Sequence, residues 1–306
     1  MKQADPKKLI RGQVITRHGE ILIVEIPDKD SSKQCKVISR RKHGAIVSGD
    51  FILLSKEASN TLVVEERLER QSLLSRIDNF GKTKTIAANI TQIVVTFSIQ
   101  PKPSHLLIDR YILAAEMLNI KALLVLNKTD LINDSNKESL LNLLGMYNDI
   151  GYESLQICAH DAAGISALQD KLKNETSILV GQSGVGKSSI IKSILPNLNI
   201  RIAELSHATG EGKHTTRTST LHHLPTGGNL IDTPGVRGFT PPLPEKVKLQ
   251  HGFIEIHQHA KQCRFANCCH INEPNCAVLD AVEKQSISQK RYASYKKLFA
   301  EIQQSN

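Results

Sequence analysis

Residues 181–189 read Gly-Gln-Ser-Gly-Val-Gly-Lys-Ser-Ser, which fits G-x-x-x-x-G-K-S directly after the apolar run Ile178–Val180 and ahead of a helical stretch. Few segments constrain a fold more tightly, because the motif works only as the turn between a buried strand and a helix N-terminus. Its glycines let successive backbone N–H groups converge on phosphate oxygens, and the helix end adds a favourable field. Gly181, Gln182, Ser183, Gly184, Val185, Gly186, Lys187, Ser188 and Ser189 therefore form the candidate phosphate cradle. Lys187 would reach the outer phosphates, and the Ser188 hydroxyl would ligate Mg2+. The implied ligand is a nucleoside triphosphate.

A second segment names the base. Asn127-Lys128-Thr129-Asp130 follows the apolar strand Ala122–Leu126 and fits N-K-x-D. The Asp130 carboxylate can accept from guanine N1–H and the exocyclic amine, two donors that adenine does not present in that arrangement. Asn127 and the Lys128 stem would shape and cover the base, with Thr129 in the variable position. Alone, these four residues are an ordinary polar turn; beside a phosphate loop they select GTP. Cys158-Ala159-His160 follows another short strand and stands where GTPases place a Ser-Ala loop against the base, with Cys in place of Ser. Asp232-Thr233-Pro234-Gly235 supplies the remaining element. Its Asp232 would hold Mg2+ through water, and the Gly235 N–H would sense the γ-phosphate. Between the two lies Gly210-Glu211-Gly212-Lys213-His214-Thr215-Thr216-Arg217, suited to a mobile switch in which Thr215 or Thr216 completes the metal shell.

The order of these pieces is informative. Ordinary GTPases place the phosphate loop first and N-K-x-D late, whereas here 127–130 precedes 181–189, which precedes 232–235. That is a circular permutation. It leads the second switch, near Gly235, straight into the C-terminal region and offers a short route for nucleotide state to reach it.

The flanking regions differ in kind. Between about residues 10 and 68, short β-type runs at Gln13–Thr16, Ile21–Ile26, Cys35–Ile38, Phe51–Leu54 and Thr61–Glu65 are separated by glycines and polar clusters. Five such strands suit a small oligonucleotide-binding (OB-fold) barrel. A polar connector is expected from about Arg67 to Lys84, followed by alternating strands and helices that imply a mostly parallel sheet. The expected division is a β-barrel over 1–68, a permuted α/β P-loop GTPase domain over 69–240 and a mainly helical zinc-binding domain over 241–306. The chain carries 39 Lys and Arg against 30 Asp and Glu, a formal charge of +9, which favours an anionic partner such as RNA. The basic residues Lys7, Lys8, Arg11, Lys36, Arg40, Arg41 and Lys42 around the barrel form either an RNA surface or a solvated face. No apolar run approaches the ~20 residues of a membrane span, and the first residues lack the apolar core of a secretory signal. The chain reads as cytoplasmic.

Four of the six cysteines fall at 263, 268, 269 and 276, and His270 lies among them. Three thiols and one imidazole make a closed tetrahedral set for structural Zn2+. On spacing alone, Cys269 serves as well as Cys268. Beyond it, Val278–Glu301 reads as helical, with Arg291, Lys296 and Lys297 available for phosphate contacts.

Taken together, these motifs resemble the bacterial ribosome small subunit-dependent GTPase A family over almost the whole chain. Further matching pieces are Ala88-Asn89, the Asp109-Arg110 pair, Gly212-Lys213-His214-Thr215-Thr216 and Glu273-Pro274 within the last cysteine gap. The resemblance implies an N-terminal oligonucleotide-binding barrel, a permuted GTPase domain and a zinc domain whose single ion is held by Cys263, Cys268, His270 and Cys276, leaving Cys269 out. It also implies binding to the small ribosomal subunit and its rRNA in late maturation, with weak intrinsic GTP hydrolysis raised by that subunit. GTP and GDP are then the ligands, with Mg2+ accompanying GTP, no membrane is involved and the chain works as a monomer. Three positions depart from the family pattern: Thr91 replaces an acidic residue, Cys158 a serine and Asn275 a glycine, although Asn tolerates a left-handed backbone.

One catalytic expectation follows from the residues. Small GTPases carry a water-orienting Gln after D-x-x-G; here Val236 stands there and cannot orient water. His214 in the switch is the candidate to position the nucleophile, alongside Lys187, Thr215, Asp232 and Gly235. Two other readings compete. An RNA-binding module could use GTP as a structural clamp without significant hydrolysis, although intact Lys187, Ser188 and Asp232 argue for hydrolysis. A P-loop kinase or ATPase would have no need of Asp130.

Overall fold

A computed structural model describes residues 9–28, 31–39, 43–57, 61–78, 80–196, 198, 219–233 and 240–305. The chain divides into two compact units.

The first unit draws on the described residues of Met1–Thr91, Leu172–Ile178 and Leu195–Val236. Its centre is a closed five-stranded barrel made of β1 (Ile10–His18), β2 (Ile21–Asp28), β3 (Ser31–Ile38), β4 (Phe51–Lys56) and β5 (Leu62–Arg67). β1 pairs antiparallel with both β2 and β4, β4 with β5, and a parallel contact at Ile38↔Val63 closes the ring. Alternation places Val14, Leu22, Val24, Val37, Ile52, Leu54 and Val64 inside, joined by Ile46 from the β3–β4 connection. All five strands expected from the sequence are present. Arg70 ties off the barrel by gripping buried Asp50 with Nε and Nη2, at 2.7 and 2.8 Å.

The expected polar connector is not one. It contains β6 (Leu73–Ile77), paired antiparallel with β7 (Thr83–Ala88) as a hairpin. The hairpin forms because Leu74, Ile86, Ala87 and Ala88 bury one face, while Asp78 Oδ1 accepts the Phe80 and Lys82 N–H groups across the turn. Asn89 ends β7 in the left-handed region (φ 55°) and donates Nδ2 to the Gly49 carbonyl. Gly49 has φ 88°, and a methyl group there would meet the Ala88 oxygen at 2.1 Å. Later segments complete the unit. β11 (Thr176–Val180) pairs in parallel with β13 (Asn229–Asp232), and β13 pairs antiparallel with the short β12 (Thr220–His223).

The second unit draws on Gln92–Lys171, Leu179–Ile194 and the described residues of Arg237–Asn306. Three parallel strands, β8 (Gln92–Ser98), β9 (Lys121–Asn127) and β10 (Glu153–Gln156), run in the order β10-β9-β8. Every residue of β8 is buried, as expected for a strand covered on both faces. The helices are α1 (His105–Met117), α2 (Asp134–Ile150), α3 (Ala162–Leu172) and α4 (Lys187–Ile194). Ser104 caps α1, and Asn133 with Asn136 forms a reciprocal capping box on α2.

The C-terminal part of this unit contains a 3-10 helix over Lys246–Gly252, then α5 (Ile254–Ala260), α6 (Ala277–Glu283) and α7 (Gln289–Ser305). The helical stretch expected over Val278–Glu301 is present as α6 and α7, with a break between them. Gln285 takes φ 61°, Ile287 is buried, and Ser288 Oγ accepts the Lys290 N–H to restart the helix. Leu249, Phe253, Ile256, Val278, Tyr295 and Leu298 form a core against Leu113 of α1. Gly252 is required at this contact, since a methyl group there would lie 2.0 Å from Leu113 Cδ1. Arg291 is not placed for phosphate. It is 0% exposed, donating to Asp109 Oδ1 at 2.7 Å and to Glu255 through Nε and Nη2 at 2.7 and 3.0 Å. Removing one partner from such a buried pair costs about 3–5 kcal/mol, because the others are left uncompensated. Lys296 and Lys297 remain on the same helix, Lys296 lying 5.0 Å above the Tyr292 ring.

Among the described residues, no helix is long and apolar enough to cross a membrane.

Candidate nucleotide site and metal centre

The phosphate loop follows β11 and ends on the N-terminus of α4, as its spacing requires. Three of its glycines adopt conformations that side chains resist: Gly181 at φ 141°, Gly184 at 85° and Gly186 at 95°. Two also lack room. A methyl group on Gly181 would lie 1.9 Å from the Thr96 oxygen of β8, and one on Gly186 would lie 2.2 Å from Asn127 Nδ2. Lys187 arches back over the loop, its Nζ donating to the Gly181 and Gln182 carbonyls at 2.7 and 2.8 Å. Ser183, Gly184 and Ser188 are exposed, and Val185 is buried beneath them. Gly186→Ala should therefore displace Asn127 and the loop together and lower GDP affinity at least about a hundredfold, read by fluorescent-nucleotide titration.

Asn127 joins the base-reading and phosphate loops. It is buried at the end of β9, donating Nδ2 to the Val185 carbonyl at 2.9 Å and accepting the Ala159 N–H at 3.1 Å. One side chain thus links N-K-T-D, the phosphate loop and the Cys158-Ala159-His160 segment. Lys128 turns the chain in the left-handed region (φ 64°) and donates Nζ to the Gln100 carbonyl at 2.8 Å. The Thr129 N–H donates to the Ile157 carbonyl, and the 3-10 turn Thr129–Leu131 leaves Asp130 exposed. Ser193 of α4 donates to the Ala159 carbonyl at 2.8 Å, a brace that the motifs did not signal. Cys158 is half-buried beside it.

Asp232 is the last residue of β13 in the first unit. Burial pushes its carboxyl above the usual carboxylate range, partly offset by the Thr233 N–H. A divalent cation would reverse that shift. His214, Thr215, Thr216, Gly235 and Val236 lie outside the described residues.

The metal centre is compact. One donor atom from each of Cys263, Cys268, His270 and Cys276 lies within 4.8 Å of all the others. His270 Nδ1 stands 3.4 Å from Cys276 Sγ and 3.6 Å from Cys263 Sγ, while its Nε2 faces Gln250 Oε1 at 3.0 Å. Gln250 therefore accepts Nε2–H and leaves the Nδ1 lone pair for a metal, a partner that the cysteine spacing did not reveal. Cys269 turns away, its Sγ on the Asn267 carbonyl, and stands outside the group of four. Both sharp turns are left-handed, at His270 (φ 60°) and Asn275 (φ 57°). Asn275 thus holds the conformation that glycine would. Glu273 ties the knuckle by accepting the Cys269, Ile271 and Asn272 N–H groups. Burial pushes the Cys268 thiol up to about 12 and raises the Cys276 thiol as well. The donor set, tautomer and size fit one closed tetrahedral Zn2+ site.

Comparison with known proteins agrees with this architecture. The family model described as RsgA GTPase matches residues 67–241. The Small ribosomal subunit biogenesis GTPase RsgA of Hahella chejuensis is 40% identical over 294 residues, covering 96% of this chain and 84% of that protein. Its counterpart in Azotobacter vinelandii is 41% identical over 292 residues, covering 95% and 85%. Among solved structures, YjeQ from Thermotoga maritima superposes with a TM-score of 0.79 at 28% identity, covering 96% of this chain and 99% of that one. YloQ, a circularly permuted GTPase, gives 0.77 at 27% identity, covering 98% and 96%.

Proposed function

The chain belongs to the RsgA GTPase family, and from that membership we propose that it hydrolyses GTP to GDP and phosphate on the small ribosomal subunit during late maturation. The observation that carries the guanine assignment is Asn127, which locks the base-reading loop to the phosphate loop. The relatives' names supply the subunit as partner. The reading extends to the three-part division at 1–68, 69–240 and 241–306, to contact with rRNA, and to a cytoplasmic monomer with one structural Zn2+. An exposed aromatic, Phe80, between the two strands of the β6–β7 hairpin and near Lys82 and Lys84, supports an RNA-facing role.

The site residues divide the work. The loop N–H groups from Ser183 to Ser189 and the Lys187 ammonium bind the phosphates, and Asp130 reads the base. Ser188 and Asp232 would hold Mg2+, with Thr215 or Thr216 completing its shell. When bound, Mg2+ would supply positive charge to the triphosphate. The Gly235 N–H reads the γ-phosphate. Val236 leaves water unoriented, which accounts for slow intrinsic turnover, and His214 positions the attacking water when the subunit engages. His214→Ala is expected to abolish subunit-stimulated turnover while leaving GTP affinity nearly unchanged; retained stimulation in a single-turnover assay would overturn that role.

The test of the whole reading is GTP hydrolysis by the purified protein with small subunits, with large subunits and alone. Stimulation by small subunits only is expected. GTP bound without stimulation by either subunit would overturn the assignment of the partner.

A further inference from the structure

Strands β8 and β9 run parallel and in register, which sets Ser98 beside Asn127 at their C-terminal ends. Both residues are buried, and a turn follows each. Asn127 opens the base-reading loop. The segment after Ser98, residues 99–104, leads into α1 and belongs to no nucleotide motif. It nevertheless meets two of them. Lys128 Nζ donates to the Gln100 carbonyl at 2.8 Å, and Pro101 Cδ lies 3.6 Å from where a methyl group on Gly184 would stand.

The Gln100 carbonyl receives two donors. Ser98 Oγ donates to it at 2.8 Å, the same distance as the Lys128 ammonium. A carbonyl oxygen offers two lone pairs, and both are engaged. Ser98 is 0% exposed, so its hydroxyl is a fixed donor. The consequence lies in the path of the lysine. Its Cε is 3.9 Å from the position of a methyl group on Gly186, so the stem crosses the phosphate loop before its ammonium reaches Gln100. A lysine stem held at both ends presents a set apolar face, whereas a free one loses rotamer entropy when a ligand orders it.

We propose that Ser98 is a positioning residue for guanine recognition. It holds the Gln100 carbonyl, the carbonyl holds the Lys128 ammonium, and the lysine stem is thereby preset to cover the base. Ser98 itself need not touch nucleotide. This inference rests on the assignment of 127–130 as the base-reading loop.

The test measures GDP and GMP affinity of the full-length protein and its variants by displacement of a fluorescent GDP analogue. Ser98→Ala removes only the hydroxyl. GDP and GMP share the base, so both are expected to weaken about fivefold, the scale of one hydrogen bond, with the melting temperature unchanged. Ser98→Cys keeps the volume with only a weak donor and should show the same loss. Lys128→Met keeps an apolar stem without the ammonium and is expected to weaken both nucleotides at least as much. In that background, Ser98→Ala should change neither affinity, because the carbonyl no longer holds the lysine. Should the Ser98 variants melt lower, the Lys128→Met background still decides, since a loss caused by unfolding would persist there. Unchanged affinity in Ser98→Ala, an equal loss in the Lys128→Met background, or a loss for GDP without one for GMP would overturn the proposal. A parent protein that bound GDP no more tightly than ADP would remove the base-reading assignment itself, and this inference with it. A parent that prefers GDP but is indifferent to Ser98→Ala would defeat this inference alone.

Discussion

Asp130→Asn is expected to lower GDP affinity about a thousandfold and to transfer preference to xanthosine nucleotides. The carboxylate is asked to accept two donors of guanine, and hydrogen bonds to a charged group contribute about 1.5–3 kcal/mol each. Losing both is on the order of 4 kcal/mol, which is about three decades of affinity. An amide in the same place offers a donor to the 2-oxo group that xanthine carries instead of the amine. The structure makes the change local. Asp130 is exposed on a short 3-10 turn, whereas loop geometry is maintained by Asn127, Lys128 and Thr129 through bonds to Val185, Gln100 and Ile157. Competition of GDP, the xanthosine diphosphate and ADP against a fluorescent guanine nucleotide reads the result. Undiminished GDP affinity would remove Asp130 from base recognition.

Loss of the metal should have the larger structural effect. Cys268 and Cys276 are members of the same buried core as Leu249, Phe253, Tyr295 and Leu298, so the knuckle is not a detachable appendage. Tyr292 and Tyr295 of α7 donate their hydroxyls to the His270 and Cys269 carbonyls at 2.9 and 3.1 Å, which carries the knuckle's geometry directly into that helix. Structural Zn2+ contributes about 10–16 kcal/mol in isolated small domains, and even a fraction of that exceeds the margin of an ordinary domain. Cys276→Ser should therefore lower the zinc content from one ion per chain to nearly none. It should also melt the C-terminal helices well before the barrel, as seen by metal analysis and hydrogen exchange. Full zinc occupancy in Cys276→Ser would remove that residue from the ligand set.

Local signals were readable in the sequence, and distant partnerships were not. The barrel strands announced themselves because a short apolar run such as Phe51–Leu54, bounded by Asp50 and Ser55, is a property of adjacent residues. The nucleotide motifs were equally local, each a short turn after an apolar strand. The β6–β7 hairpin escaped because Arg67, Glu69, Arg70, Arg76, Asp78, Lys82 and Lys84 crowd the segment with charge, while its burial comes from one face only. Arg291 misled for a different reason. An arginine on a helix with Lys296 and Lys297 nearby reads as a surface cation, and nothing near it in the chain reveals the carboxylates that bury it. The break at Gln285 was hidden because Ser288 reads as a helix-interior serine until Ile287 is seen to enter the core. Gln250 and Glu273 support the metal site through geometry that cysteine spacing does not encode.

The buried ion cluster also has a consequence for how the chain is made. Arg291 lies 182 residues beyond Asp109 and 36 beyond Glu255. Synthesis proceeds from the N-terminus at about 5–20 residues per second, so the two acids emerge from the exit tunnel before the cation that neutralises them. Until then they must stay hydrated, and α1 lacks its final C-terminal anchor. The guanine-reading strands and the phosphate loop are likewise complete in the nascent chain before α7 has been translated. A chain cut short ahead of Arg291 would carry every nucleotide motif but leave the buried carboxylates of Asp109 and Glu255 without the cation that neutralises them.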